Sequence, residues 1–283
     1  MAARPRTLPA AIAPVLVGTS LAIRYGTFHP LAFIAALLGA MAIQIGTNLS
    51  NDYSDARRGA DTDERIGPVR VTAGGLVPPR QVLIATYLTF GAAVLCGVYL
   101  IAIAGWALLA VGAASILAGV LYTGPRPYGY EGLGEVFVFL FFGIVAVSGS
   151  YFVQRRALPW EAFVLAVPVG LLIAGILIVN NVRDIDTDRR AGKRTLAVRL
   201  GRERTRVLFT AIVAGAFLTS WVPWFAGALS PWLFLTAAAA PLALGIVATV
   251  RMHADGPSLN SALARSAKLA LLFCLLLCAG ILA

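Results

Sequence analysis

EAFVLAVPVGLLIAGILIVNNVRDIDTD, residues 161–188, decides the fold. Its first twenty residues carry one charge, Glu161; its last eight carry four, at Arg183, Asp184, Asp186 and Asp188. An apolar run of that length matches the hydrocarbon thickness of a bilayer. In lipid the backbone must satisfy its own hydrogen bonds, so the run is predicted to be a helix. Working outward, comparable runs occur at 8–24, 31–50, 81–103, 105–122, 133–153, 207–226, 231–250 and 266–282, which with 161–180 makes nine. The composition agrees. The 283 residues are 59% hydrophobic and 13% charged, against about 25% charged in soluble domains. The expected class is an all-α polytopic membrane protein of about nine transmembrane helices. Acid-rich segments follow the second and sixth runs, four helices apart, which points to two related four-helix units.

The formal net charge is +10. In a soluble chain that would suggest nucleic acid. Here the basic residues sit between apolar runs, so nucleic acid is excluded in favour of topology and anionic ligands. Twenty of the 23 lie on one side: Arg4 and Arg6, the segment 51–80, Arg126, the segment 181–206, and Arg251, Arg265 and Lys268. Arg24, Arg155 and Arg156 lie on the other. The positive-inside rule then places the N-terminus in the cytoplasm and the C-terminus outside. The apolar stretch after Arg4 and Arg6 reads as a retained first helix rather than a signal peptide, because many spans follow. Cys96, Cys274 and Cys278 lie inside apolar runs and read as packing residues. Of the 13 acids only Glu161 falls on the outer side. Acids do little to set orientation, so something on the cytoplasmic face uses them.

Two constellations carry chemistry. The first runs Asn48-Leu-Ser-Asn51-Asp52-Tyr53-Ser54-Asp55, followed by Arg57, Arg58, Gly59 and Asp61. On a continuing helix Asn48, Asp52 and Asp55 share a face. Clustered carboxylates repel one another unless a cation sits among them, and hard oxygen ligands favour Mg²⁺ or Ca²⁺. The second runs Asn180-Asn181-Val-Arg183-Asp184-Ile-Asp186-Thr-Asp188-Arg189-Arg190-Ala-Gly192-Lys193-Arg194-Thr195. Asp184 and Asp188 share a face, whereas Asp186 points away and is read as solvated. Arg190, Lys193 and Arg194 beside these acids suit phosphate oxygens, Arg by bidentate contact, though topology and anionic lipid also account for basic residues here. A third segment, Tyr122 to Glu135, brings Tyr122, Arg126, Tyr128 and Tyr130. These face either a ligand or the membrane interface. The segment 65–75, with Arg65, Gly67, Pro68, Arg70, Gly74 and Gly75, has the composition of a lid over the site.

Asn-x-x-Asn-Asp-Tyr-x-Asp at 48–55 and Arg-Asp-x-Asp-x-Asp-x-x-Ala-Gly-Lys-Arg-Thr at 183–195 resemble the two signatures of the UbiA-type membrane prenyltransferases. Gly67-Pro68-x-Arg70 and Tyr128-Gly-Tyr130-x-Gly-Leu-Gly134-Glu135 make the chain most similar to the branch that acts on 1,4-dihydroxy-2-naphthoate in menaquinone biosynthesis. The resemblance implies one transmembrane domain over 1–283, with helices around a central cavity and cytoplasmic active-site loops at 51–80 and 181–206. It implies Mg²⁺ held by Asn48, Asp52, Asp55, Asp184 and Asp188. Asp52, Asp55, Asp184, Asp188 and Lys193 are the catalytic candidates. Arg58, Arg70, Tyr122, Arg126, Tyr128, Tyr130, Arg183, Arg190 and Arg194 are the substrate-binding ones. Two positions depart from the superfamily pattern: Gly59 stands where a further Asp is usual, and Arg126 stands where Lys follows the tyrosine. The implied reaction transfers a polyprenyl group from its diphosphate to the aromatic acceptor, with loss of CO₂, giving demethylmenaquinone. The expected partners are those two substrates and the lipid bilayer, with a homo-oligomer left open. A sister enzyme acting on 4-hydroxybenzoate or a sugar phosphate, and a secondary transporter, are the competing readings.

Overall fold

The computed structural model describes residues 4–59 and 70–283. Asp61, Arg65, Gly67 and Pro68 fall outside the described residues. The described residues form helices and turns, with no strand among them. Nine helices among the described residues make the body: α1 (Pro9–Arg24), α2 (Pro30–Arg57), α3 (Pro79–Ala104), α4 (Ala107–Leu121), α5 (Gly134–Arg155), α6 (Trp160–Arg190), α7 (Arg202–Phe225), α8 (Pro231–Met252) and α9 (Gly256–Leu282). Seven are long and apolar enough to cross a membrane; α1 and α4 are shorter, at 16 and 15 residues.

The helices extend beyond the apolar runs where the chain turns polar. α2 continues seven residues past 50, to Arg57, and α6 ten residues past 180, to Arg190. α9 starts at Gly256 rather than 266, with Asp255 accepting the Ser258 amide hydrogen at 2.8 Å. Hydropathy marks where the hydrocarbon ends, whereas capping marks where the helix ends. Residues 51–57 and 181–190, which read as loop, are therefore the projecting ends of membrane helices.

Helix α6 is the most buried span, packed against α5, α7, α9 and α1. Small residues allow this, as they do generally in lipid, where apolar burial gives helices no reason to associate. A β-carbon on Gly143 of α5 would stand 2.6 Å from the Cα of Gly170 on α6. Around this contact α5 widens into a π-helical segment, Phe139–Val145. Helix α2 packs mainly on α3, and α4 leans on α2 and α3. Between these groups lies a cavity of about 1300 Å³.

At the opposite end from the acidic motifs, Glu161 accepts the Tyr25 hydroxyl at 3.0 Å. Gln154 bonds both backbone groups of His29, at 2.6 and 3.3 Å. This latch ties the α1–α2 turn to the α5–α6 turn and gives the one acid on that side a structural task.

Candidate active site

Both acidic motifs occupy the last turns of their helices, and both helices stop at a glycine with positive φ: Gly59 (64°) after α2 and Gly192 (73°) after α6. At Gly192 the geometry is a Schellman turn. The Gly192 amide donates to the Arg189 carbonyl at 3.2 Å, and the Lys193 amide to the Asp188 carbonyl at 2.9 Å. The turn folds Lys193 back over the helix end, so that its Nζ stands 3.4 Å from Asp188 Oδ1. Gly59, the departure from the superfamily acid, is thus the residue that ends α2, its amide donating to Ala56 at 3.2 Å.

On α2, Asp52 and Asp55 are 2% and 3% exposed. Asp52 accepts the backbone amides of Val71 (3.2 Å) and Thr72 (2.9 Å). Asp55 takes Arg70 at 2.9 Å on one oxygen and the Tyr130 hydroxyl at 2.6 Å on the other. Asn48 donates to Thr7 at 3.0 Å, and Asn51 accepts the Thr123 hydroxyl at 2.8 Å. On α6, Arg183 grips Asp184 with two arms, Nε at 2.7 Å and NH2 at 2.6 Å. The same guanidinium reaches Asn180 (2.9 Å) and Asn260 of α9 (2.7 Å). Asp186 is exposed and pairs with Arg202 at 3.0 Å.

Tyr130 joins the two ends. Its hydroxyl is on Asp55, its ring lies 4.8 Å beneath Lys193 Nζ, and its carbonyl accepts the Arg194 amide at 2.7 Å. From there aromatic rings descend into the cavity: Tyr122 against Tyr128 (5.5 Å, edge-on), Tyr128 stacked on Phe137 (4.0 Å), and Phe137 on Phe141 (6.1 Å). Burial pushes the Tyr128 phenol well above its ordinary value, so it stays a neutral donor, to the Ala118 carbonyl at 2.9 Å.

The cavity wall contains Asn48, Asp52, Asp55, Arg70, Tyr122, Tyr128, Tyr130, Arg183, Asp184, Asp188 and Lys193. Four candidates stand elsewhere. Arg58 lies over the Tyr130 ring at 5.9 Å and donates to the Gly124 carbonyl. Arg126, Arg190 and Arg194 have exposed side chains off the wall. Arg183, assigned to substrate from the sequence, spends its donors on Asp184, Asn180 and Asn260, and so organises the acid beside it. The structure adds Arg4, Thr7, Asn181 and Asn260 to the wall. Arg4 and Thr7 precede the first apolar run, and Asn260 sits in a connection between two others. Only folding brings these three to the site.

A family model described as the UbiA prenyltransferase family matches residues 11–272. The chain belongs to this family. It is 45% identical over 285 residues to the 1,4-dihydroxy-2-naphthoate octaprenyltransferase of Mycobacterium tuberculosis, covering 99% of this chain and 95% of that one. It is 39% identical to the enzyme of the same name from Escherichia coli, covering 98% and 92%. The fold superposes on a UbiA homolog from Archaeoglobus fulgidus bound to DMAPP and Mg²⁺, with TM-score 0.68, 16% identity and 99% and 97% coverage. This UbiA chain is thus a multi-pass membrane prenyltransferase.

The donor set of this UbiA site is carboxylate and amide oxygen, without thiol or imidazole. Among the described residues no three His, Cys, Asp or Glu side chains gather closely enough to hold a metal alone. Carboxylate and amide oxygens of this kind fit Mg²⁺, which takes one or two carboxylates and completes its shell with phosphate oxygens and water.

Proposed function

We propose that this chain transfers a polyprenyl group from an allylic diphosphate to 1,4-dihydroxy-2-naphthoate, which loses CO₂. The allylic C–O bond breaks, and a C–C bond forms at the ring carbon bearing the carboxylate. Release of CO₂ restores the aromatic ring, so the immediate product is the quinol form of demethylmenaquinone. One observation carries the reading. The acid-bearing ends of α2 and α6 meet at the polar end of a single cavity whose remaining wall is mainly apolar and aromatic. A diphosphate fits the first part and a polyprenyl tail the second.

Asp52 and Asp55 with Asn48, and Asp184 and Asp188 on α6, would hold Mg²⁺, which neutralises charge on the departing diphosphate. Arg70 and Lys193 stand against Asp55 and Asp188, where they can turn to phosphate oxygens. Tyr130 keeps both in register. The ladder of Tyr128, Phe137 and Phe141 shelters the allylic cation from water, each face worth about 0.5–2 kcal/mol to a desolvated cation. The charge distribution supports a cytoplasmic N-terminus and mouth, an outer C-terminus and residence in the cell membrane as a single domain.

The test is mass spectrometry of products from purified protein given one polyprenyl diphosphate with 1,4-dihydroxy-2-naphthoate or 4-hydroxybenzoate, with and without Mg²⁺. The expected result is a Mg²⁺-dependent, decarboxylated naphthoquinol. Exclusive prenylation of 4-hydroxybenzoate would overturn the acceptor, and full activity in chelator would overturn the metal.

A further inference from the structure

Glu135 has no part in the chemistry above, yet it is a buried carboxylate beside the site. It lies in the first turn of α5 and is 5% exposed. An acid in a helix's first turn is ordinary, because the dipole favours it. Here, though, the carboxylate is sunk between helices. One oxygen accepts the Asn181 Nδ2 hydrogen at 2.8 Å, and the other is buried with no hydrogen-bond partner. A half-satisfied buried carboxylate is expensive unless it fixes something.

What it fixes is an amide. Asn181 lines the cavity on α6; Glu135 does not. An asparagine side chain can present either an NH₂ or an oxygen, and the two are nearly equal in shape. A carboxylate only accepts, so the NH₂ must turn toward Glu135 and the carbonyl oxygen must turn the other way, to the cavity. The start of α5 sits close on α6 here: a β-carbon on Gly134 would stand 3.2 Å from Leu177 Cδ2, with the Tyr122 hydroxyl at 3.5 Å. Asn180 is engaged differently, by Arg183. Asn181 lies one helical turn before Asp184 on α6, and its partner Glu135 follows Gly134, which faces Leu177 and Tyr122.

We propose that Glu135 is a positioning residue that locks Asn181 with its amide oxygen facing the cavity, as a fixed hydrogen-bond acceptor for a hydroxyl of the aromatic acceptor. This rests on the prenyl-transfer reading above and names the contact that recognises the acceptor. A hydroxylated ring can donate to that oxygen; a ring carrying only acceptors cannot.

The experiment compares Glu135→Leu, Glu135→Gln, Asn181→Asp and the double variant Glu135→Gln with Asn181→Asp in steady-state assays, varying each substrate separately. In Glu135→Leu the KM for dihydroxynaphthoate should rise about ten-fold, while that for polyprenyl diphosphate moves less than about two-fold. Glu135→Gln keeps an oxygen that can accept from Asn181, so it should recover most of the loss. Asn181→Asp sets carboxylate against carboxylate and should be the worst single change. In the double variant the introduced glutamine amide donates to the introduced carboxylate, so about ten-fold of activity should return. Glu135→Gln as impaired as Glu135→Leu would overturn the proposal, because charge rather than orientation would then matter. A rise in the KM for the diphosphate or in the Mg²⁺ requirement would overturn it too. If Glu135→Leu does not fold, the double variant decides: no recovery over Asn181→Asp sinks the idea. The wild-type acceptor preference is read in the same assay, so failure of the naphthoate reading is seen separately from failure of the Glu135 role.

Discussion

Asp55 on α2 and Asp184 on α6 each carry an arginine on a carboxylate oxygen, but the arginines arrive by different routes. Arg70 reaches Asp55 from fifteen residues away, across a connection, whereas Arg183 is the residue next to Asp184. The same contrast holds for the neighbours. Asp52 is satisfied by Val71 and Thr72 from beyond that connection, and Asp188 by Lys193 from the Schellman turn that ends its own helix. The charge pairs of the α6 half, Arg183 with Asp184 and Lys193 with Asp188, lie within that helix and its cap, and α9 adds only Asn260. The α2 half exists only when the 70–75 segment has docked. One half is local in sequence; the other is assembled.

Removing an acid from each half should separate them most sharply. Asp52→Ala and Asp184→Ala should each lower prenyl transfer at least about a thousand-fold, because both strip a charged ligand from the diphosphate end. Their structural costs should differ. Asp184→Ala leaves the Arg183 guanidinium, 4% exposed, with only the Asn180 and Asn260 amides, and the melting temperature should fall. Asp52→Ala frees two amides of a peripheral segment, so cleavage at 70–75 in limited proteolysis should accelerate while the melting temperature falls less. Equal melting losses with unchanged proteolysis would erase the distinction between the halves.

Gly192→Ala tests whether the local half depends on its cap. No atom would meet the new β-carbon, so the cost is conformational, about 1–2 kcal/mol for a left-handed residue with a side chain. If the turn delivers Lys193 to Asp188, the KM for polyprenyl diphosphate should rise about ten-fold, close to the effect of Lys193→Ala. A normal KM in a slightly less stable protein would make the turn a helix terminator only.

This contrast also explains what the sequence could disclose. The helices are legible because bilayer thickness sets the length of most apolar runs, α1 and α4 being shorter. The acids on α2 and α6 are legible because i, i+3 and i+4 spacing puts them on one face. Lys193 is legible as a base beside the acids, whereas the Gly192 turn that brings it back to Asp188 is seen only in the folded chain. Arg4, Thr7 and Asn260 are not legible, because each meets the site through a tertiary contact that no local spacing encodes. Arg183 shows a subtler gap. Its position beside Asp184 is readable, but its commitment to Asn260 depends on how α9 packs on α6.

Tyr130 touches both halves, so it measures their coupling. Tyr130→Phe removes the hydroxyl from Asp55 but keeps the ring under Lys193. A hydrogen bond to a charged group is worth about 1.5–3 kcal/mol, so kcat/KM should fall about ten-fold or somewhat more. Tyr130→Leu removes the ring as well and should cost about five-fold beyond that, the worth of one exposed cation–π contact. If the two variants behave alike, the ring does nothing for Lys193, and the halves communicate only through Asp55.

The smallest effect is expected at Arg126, where family resemblance and geometry disagree. Resemblance puts a lysine four residues after the tyrosine, which on a helix would place its charge one turn from Tyr122 and toward the ligand. Here α4 ends at Leu121, and Pro125 and Pro127 flank the arginine in extended and turning backbone. Tyr122 stays on the cavity wall, while the Arg126 side chain stands exposed off it. A cation in water contributes little to a buried anion, because solvent screens it within about 10 Å. Arg126→Ala should therefore change kcat/KM for polyprenyl diphosphate by less than about three-fold at physiological ionic strength, with the difference shrinking as salt is added. A salt-independent loss approaching that of Arg70→Ala would mean that Arg126 swings inward when the diphosphate binds, and the tyrosine loop would then belong with the assembled half of the site.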